Sequence, residues 1–526
     1  MSSVCPSLPL DVIHNIATLA DHADLPPLLL TNRHINELLT PILYSIVDLG
    51  AWDNIAMCVR TLHTPPKHSI YGRNLAGLVR TFELRKPLTR LPYYISTCRL
   101  AKDLNESAGR MHQLRRFSSG IHLGPEPSEI LYTFVSGSFP YLRAIKMHIG
   151  DITPDVLRGL NQSETGELVL VAPPSLHDLE LELPAHLDSV HSALVRTLLR
   201  TSSRMLRSLS LKTSHHPTPE LWSSVLPQQG TFPALETLEI HGNALAHPTI
   251  AQAEDVHSLK IIDYWDAQHV PPPNLFPNLR ALSSPRELLS FFLPEEASEH
   301  HRPLETICID NISPERSADG YPGRKTVPFW PELLPIFSHL PSSGVPVKSV
   351  SFGIECLTDT AMEFIRNNLR DLEHLAIYLP LKWRQDTELP CQIVIDLLLY
   401  LPRLHTLLLI GIGGRHAGLQ TPPCLADVAI TLDISRSILT MLEERAPSLR
   451  RLTWLDGIEL AKKEGGWHWT GVPGFGGGLL HEVEPWEEEA LNELGYGWSD
   501  CSDSDEVFED STELEDTRFL PFDRTQ

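Results

Sequence analysis

What this sequence lacks sets its first limits. Its opening residues carry no basic segment followed by an unbroken apolar core, so no secretory signal is expected. No stretch approaches the roughly 18 apolar residues that cross a bilayer, so no membrane partner is expected. The eight cysteines (Cys5, Cys58, Cys98, Cys308, Cys356, Cys391, Cys424 and Cys501) form no C-x-x-C pair. That excludes a disulfide-stapled mini-domain and reads as reduced thiols of a cytoplasmic or nuclear protein. There is no G-x-S-x-G elbow, P-loop or H-E-x-x-H helix, and no cofactor is expected. Positive charge is scarce: 43 Lys and Arg stand against 66 Asp and Glu, a net charge of -23. A nucleic-acid binder needs a basic surface to displace counterions, so none is expected here.

The negative charge is unevenly placed. Residues 482–516, "EVEPWEEEALNELGYGWSDCSDSDEVFEDSTELED", hold 15 acids and no Lys or Arg. Such a block stays solvated, and from 499 to 526 an acidic disordered tail is expected. Ser499, Ser502 and Ser504 sit among acids, where phosphate would add further charge.

Self-similarity organises the rest. A short pattern, L-x-x-L-x-L or a close variant, recurs as "PYLRAIKM" at Leu142, "PSLHDLEL" at Leu176, "RMLRSLSL" at Leu206 and "PALETLEI" at Leu235. It continues as "HSLKIIDY" at Leu259, "PNLRALSS" at Leu279, "RPLETICI" at Leu304, "VPVKSVSF" at Val347, "RDLEHLAI" at Leu372, "PRLHTLLL" at Leu404 and "PSLRRLTW" at Leu449. Weaker copies stand at Leu78 and Leu114. The last two apolar residues lie two apart, as one face of a strand requires. Between copies, segments such as "VHSALVRTLLRTSS" and "DTAMEFIRNNLR" carry helical spacing. Separations centred on the mid to high twenties match a leucine-rich repeat, whose units must stack to bury their apolar faces. The fold class is therefore α/β, an irregular solenoid of parallel strands alternating with helices.

Metal and phosphate chemistry find little support. His215 and His216, like His300 and His301, are adjacent pairs without the spacing that lets three or four ligands converge. "GVPGFGGG" lacks the Gly-Lys-Ser/Thr of a phosphate cradle and reads as a loop. Trp467 and Trp469 alternate near the end of the repeats and are expected to cap them.

The N-terminal stretch is patterned differently. Ser7 is placed to cap a helix opened by Pro9, whose missing amide costs nothing in a first turn. Val12, Ile13, Ile16 and Leu19 form an apolar stripe. Residues 21–27 are expected to break this helix, and Leu28 to Leu39 to form a second. "LPLDVIHNIATLADHADLPPLLLTNRHINELLTPILY" resembles an F-box: the Leu-Pro start, Val12-Ile13, Ile16, Leu19, Asp24-Leu25 and the leucine run all correspond. Asn32 stands where the family often has cysteine. Joined to leucine-rich repeats, the chain looks like the F-box proteins abundant in mushroom-forming fungi.

The resemblance implies a non-catalytic substrate receptor of a Skp-cullin-F-box (SCF) ubiquitin ligase, acting in ubiquitin-dependent degradation. Its N-terminal three-helix module would bind a Skp-type adaptor, and through it the cullin and RING subunits. Carried over by position, the adaptor-binding residues would be Leu8, Pro9, Val12, Ile13, Ile16, Leu25 and Leu29. Substrate would fall to outward residues of the repeats: Lys146, His148, Asp178, Glu180, Glu182, Glu239, His241, Asp263, Trp265 and Asp310. Their acidic middle would suit a substrate with a basic segment. The expected division is 1–50 F-box-like, 51–135 linker and first irregular repeats, 136–460 solenoid, 461–498 cap and 499–526 tail. The alternative is an adaptor-independent repeat scaffold whose N-terminal helices only cap the first repeat.

Overall fold

The computed structural model describes residues 13, 15, 25–29, 33–64, 75–85, 92, 95–121, 127–136, 139–149, 173–184, 187, 189–213, 219–228, 231–262, 271–272, 275–293, 302–309, 330–338, 346–354, 358–380, 400–412, 446–453, 459–463, 466–469 and 478–479. Their strands are short, as the two-apart apolar spacing dictates. In chain order they are β1 Ile46–Leu49, β2 Thr81–Leu84, β3 Arg116–Ser119, β4 Ala144–His148, β5 Asp178–Leu183, β6 Ser208–Thr213, β7 Thr237–Ile240, β8 Ser258–Ile261 and β9 Ala281–Ser284. There follow β10 Thr306–Ile309, β11 Ser349–Gly353, β12 His374–Pro380, β13 Thr406–Ile412, β14 Arg451–Thr453, β15 Glu459–Lys463, β16 Gly466–Trp469 and β17 Gly478–Leu479.

All 17 belong to one sheet, and each pairs with the next in sequence. From β1 to β14 every pairing is parallel. Parallel neighbours need a crossover, and helices such as Trp52–His63, Thr97–Ala108, Ser189–Ser202 and Asp359–Asn368 supply it. The first of these buries Trp52, Ile55, Val59 and Leu62 at helical spacing. Thr358 caps the last, its side chain accepting the Ala361 N–H. This is the solenoid of stacked strand–helix units expected of leucine-rich repeats.

Register explains the stacking. Phe82 on β2, Phe117 on β3, Ile145 on β4, Leu179 on β5 and Leu209 on β6 are direct cross-strand partners. The same row continues through Leu238, Leu259, Leu282, Ile307, Val350, Leu375 and Leu407 to Leu452 on β14. All are buried in one continuous core that runs from Val47 to Trp467. Each fully buried side chain contributes about 1.5–3 kcal/mol.

In residues 51–135, where a linker and the first irregular repeats are expected, the described strands β2 and β3 lie in the same parallel ladder and the same core as the later repeats. Two sequence expectations need correction. The repeat at Leu259 is shifted by three: Leu259 is the first strand leucine, paired with Leu238 and Leu282, and the buried residue ahead of the strand is Val256. Likewise Val79 is the buried residue ahead of β2, and Leu78 only packs partly against the core. At the other end β15, β16 and β17 pair antiparallel. They close the core with the buried Trp467.

The N-terminal helices also differ from expectation. Leu25–Leu29 is a short helix of its own, with both prolines in its first turn where their missing amides cost no bond. The next helix runs from Arg33 to Ser45, past Pro41, and leads straight into β1. Residues 13 and 15 are helical.

Candidate functional site

The residue immediately before each of β4 to β8 and the strand residues that alternate with the core row stand on the other face of the sheet. On β4 to β8 these outward positions carry charge, and the parallel register sets them side by side. Lys146 is opposite Glu180, Glu180 opposite Ser210, Ser210 opposite Glu239 and Glu239 opposite Lys260. The contacts follow. Lys146 Nζ lies 3.0 Å from Glu180 Oε2, and Lys212 Nζ lies 2.8 Å from Glu180 Oε1 and 3.0 Å from Glu239 Oε2. Lys260 Nζ is 2.8 Å from Glu239 Oε1, and Ser210 Oγ donates to Glu239 Oε2 at 2.7 Å.

Three lysines thus neutralise two glutamates in a continuous ladder. Partial burial pushes both carboxyls upward. The hydrogen bonds from Lys212 and Lys146 to Glu180, and from Lys260, Ser210 and Lys212 to Glu239, outweigh it and hold both below the usual range. Burial alone would lower Lys212, but its two carboxylate partners raise it. A carboxylate depressed in the fold contributes stability above its unfolded pKa and loses it as pH falls through the folded value. A raised lysine contributes below its unfolded pKa and loses it as pH rises through the folded one. The ladder is therefore intact from weakly acidic to weakly alkaline pH and fails at either extreme. Lys212→Met is expected to lower stability by about 1–2 kcal/mol at pH 7, because it strips the shared cation from two half-buried carboxylates. Urea denaturation at pH 7 and below pH 4 checks this: the penalty should shrink in acid, and a pH-independent penalty would assign it to packing instead.

This ladder corrects the expectation of an acidic groove. Glu180 and Glu239 are where they were expected, but Lys212 and Lys260 neutralise them. Two other proposed contacts are buried. His241 is buried, its Nε2 accepting the Thr213 N–H at 3.2 Å, with its ring 5.7 Å from that of Trp222. His148 is also buried, with Nδ1 3.5 Å from Glu182 Oε2. Asp178 is exposed at the start of β5. Asp263, Trp265 and Asp310 lie outside the described residues, as do His215, His216, His300 and His301.

Beyond β8 the outward row changes character. Lys260 is followed in register by Ser283, Cys308, Ser351 and Ala376, all half-buried. Small neutral side chains on an open sheet face let another backbone approach closely. Among the described residues no group of three or more His, Cys, Asp or Glu side chains converges, and no helix is long and apolar enough to cross a membrane. The Cys58 thiol, pushed up to about 11 by burial, is a poor nucleophile at neutral pH.

The N-terminal helices form a second, smaller assembly. Among the described residues Leu25, Leu29 and Leu39 are buried in it, and Ile13, Ile35, Leu38, Ile42 and Leu43 pack partly buried around them. Asn36 Nδ2 donates to the Leu29 carbonyl at 3.2 Å and ties the two helices together. Leu25 and Leu29, proposed as contacts for another chain, are covered by their own chain, so their part is to hold this small core. Ile13 is half-buried, while Leu8, Pro9, Val12 and Ile16 lie outside the described residues.

Comparison with known proteins finds no matching protein-family model and no matching curated protein. Among solved structures, the leucine-rich repeat-containing protein LegL7 from Legionella pneumophila is 16% identical, with 77% of this chain and 99% of that one covered and a TM-score of 0.29. The yeast Rad7 and Elc1 complex is 13% identical, with 70% and 86% covered and a TM-score of 0.29. Superpositions this loose carry no argument; the repeat fold rests on the strand register.

Proposed function

We propose that the chain is a non-catalytic substrate receptor of an SCF-type ubiquitin ligase. Its N-terminal helices dock a Skp-type adaptor, and its repeat face holds a protein substrate. The observation that supports this is the division of the interior. Among the described residues the solenoid buries its apolar residues in one long core, while Leu25, Leu29 and Leu39 form a separate cluster with Ile13, Ile35, Leu38, Ile42 and Leu43 only half covered around it. A partner that covers the half-exposed set stabilises this cluster. The F-box resemblance of the same residues supplies the kind of partner.

Such a receptor performs no bond chemistry. It raises the effective concentration of substrate lysines beside a charged conjugating enzyme. The neutralised ladder on β4–β8 leaves little unpaired charge for recognition, so substrate contact is assigned to β9–β12. There Ser283, Cys308, Ser351 and Ala376 admit close approach.

The experiment is co-expression with a Skp-type adaptor and affinity capture of either partner. Wild-type chain is expected to co-purify with it. Ile13→Asp, which places a charge within the half-covered set, is expected to reduce capture at least about 100-fold, as loss of a buried anchor does. The solenoid's circular dichroism should be unchanged. Undiminished capture by the variant, or none by the wild type, would leave the adaptor-independent scaffold as the better reading.

A further inference from the structure

The residue immediately after each buried leucine ahead of a strand forms a row of its own across the sheet. Backbone hydrogen bonds define it: Arg115 N–H donates to the Arg80 carbonyl at 2.7 Å, and Arg143 to Arg115, His177 to Arg143 and Arg207 to His177, each at 2.8 Å. With Arg116 beside Arg115, five arginines and a histidine occupy the leading ends of β2 to β6. Arg80, Arg115, Arg116, Arg143 and Arg207 are exposed. At about 4.8 Å per strand, the row is roughly 20 Å long.

The carboxylates around it are largely engaged elsewhere. Asp48 and Glu83 are bound by Arg85, and Glu180 by Lys146 and Lys212. Glu236, the next residue of the same row, reaches Arg207 at 4.0 Å and closes this cationic stretch, and Asp178 borders it on β5. Among the described residues Arg80, Arg115, Arg116 and Arg143 have no carboxylate within ion-pairing distance. A chain of net charge -23 therefore keeps a concentrated cationic strip on one end of its first repeats.

We propose that this strip is the docking surface for the chain's own acidic segment, residues 482–516. Charge complementarity argues for it: the segment supplies 15 of the chain's acids and no base. Its length suffices. From Leu479 on β17 to β4 the ladder has 13 strand steps, about 60 Å along the sheet. The 21 residues from Leu479 to Asp500 span about 70 Å when extended. That leaves the stretch from Asp500 to Asp516, with nine acids, to lie along the arginines. Tethering gives it an effective concentration in the millimolar range, so it occupies the strip ahead of other anions until salt or a stronger ligand displaces it. The contact is independent of adaptor binding.

The test uses two full-length chains, the natural one and one whose 15 acids in 482–516 are changed to Asn or Gln. A fluorescent peptide of residues 482–516 is titrated into each and read by anisotropy. The amide variant is expected to bind it at 50 mM salt, with affinity falling as salt rises, and the natural chain at least about 10-fold more weakly because its own segment competes. In the amide background, Arg115→Glu with Arg143→Glu should abolish binding, while Arg366→Glu with Arg370→Glu, far along the ladder, should leave it unchanged. Thermal midpoints confirm folding, and the milder Arg115→Gln with Arg143→Gln pair replaces any variant that fails. Equal binding by both chains, or binding indifferent to the arginines, would overturn the proposal. Tighter binding of single-stranded RNA than of the peptide by the amide variant would overturn it too, marking the strip as a nucleic-acid surface.

Discussion

Arg302→Ala is expected to lower the free energy of unfolding by about 3–5 kcal/mol. This arginine lies only 5% exposed inside the solenoid. Its Nε and Nη2 donate to the Leu275 carbonyl at 3.1 and 2.9 Å, and Nη1 to the Phe292 carbonyl at 3.1 Å. The guanidinium also sits 5.4 Å from the Phe292 ring centroid. It ties the chain before β9 to the end of the helix after it, where no strand is present to satisfy those carbonyls. Truncation leaves two buried acceptors unpaired and a void where the stem packed. Arg302→Met restores the stem without the donors and should recover under half of the loss. Urea midpoints of the three chains read this directly, and a loss under about 1 kcal/mol for alanine would show that water replaces the guanidinium there.

The second large effect is expected at Phe117. Its ring stacks on that of Phe82 at 5.8 Å and meets that of Phe134 edge-on at 4.9 Å, and Phe134 in turn meets Phe139 at 5.2 Å. These aromatics join β2, β3 and the helix Pro127–Ser136 into the first repeats. Phe117→Ala should cost about 3–5 kcal/mol, and Phe117→Leu a minority of that. Because repeats contact only their neighbours, the damage should be regional. Hydrogen exchange should rise across β1–β5 and stay unchanged across β10–β14. Faster exchange confined to β3 would mean that the first repeats do not transmit the damage to their neighbours.

The core was legible because its signal is local. Three apolar residues at fixed offsets name a strand and its buried face, and most assigned leucines are buried where the spacing put them. At Leu259 the same rule misled, since Val256 serves as the leading apolar residue and a leucine three residues later fits the same slot. In the true register the residue that stands opposite Glu239 is Lys260. The charge ladder was illegible for a different reason. Lys212 meets Glu180 and Glu239 only through strand register, and no single repeat contains the pair. Strand alternation does not reveal the burial of two histidines: His148 is covered although it stands in register with the outward Glu182, and His241, just past β7, packs against Trp222. The arginine strip had a visible signal, the Leu-Arg step in successive repeats, but its meaning depends on the stacking that aligns the steps. At the N-terminus the apolar stripe was legible and the helix boundaries were not, because paired prolines suit a first turn as well as a break.

The most direct test of the central claim is hydrogen exchange of the full-length chain with and without a purified Skp-type adaptor. A stable complex is expected, with new protection confined to residues before β1 and none across β4–β13. Absence of a complex at tens of micromolar, or protection on the repeat face with the N-terminal helices unchanged, would contradict it.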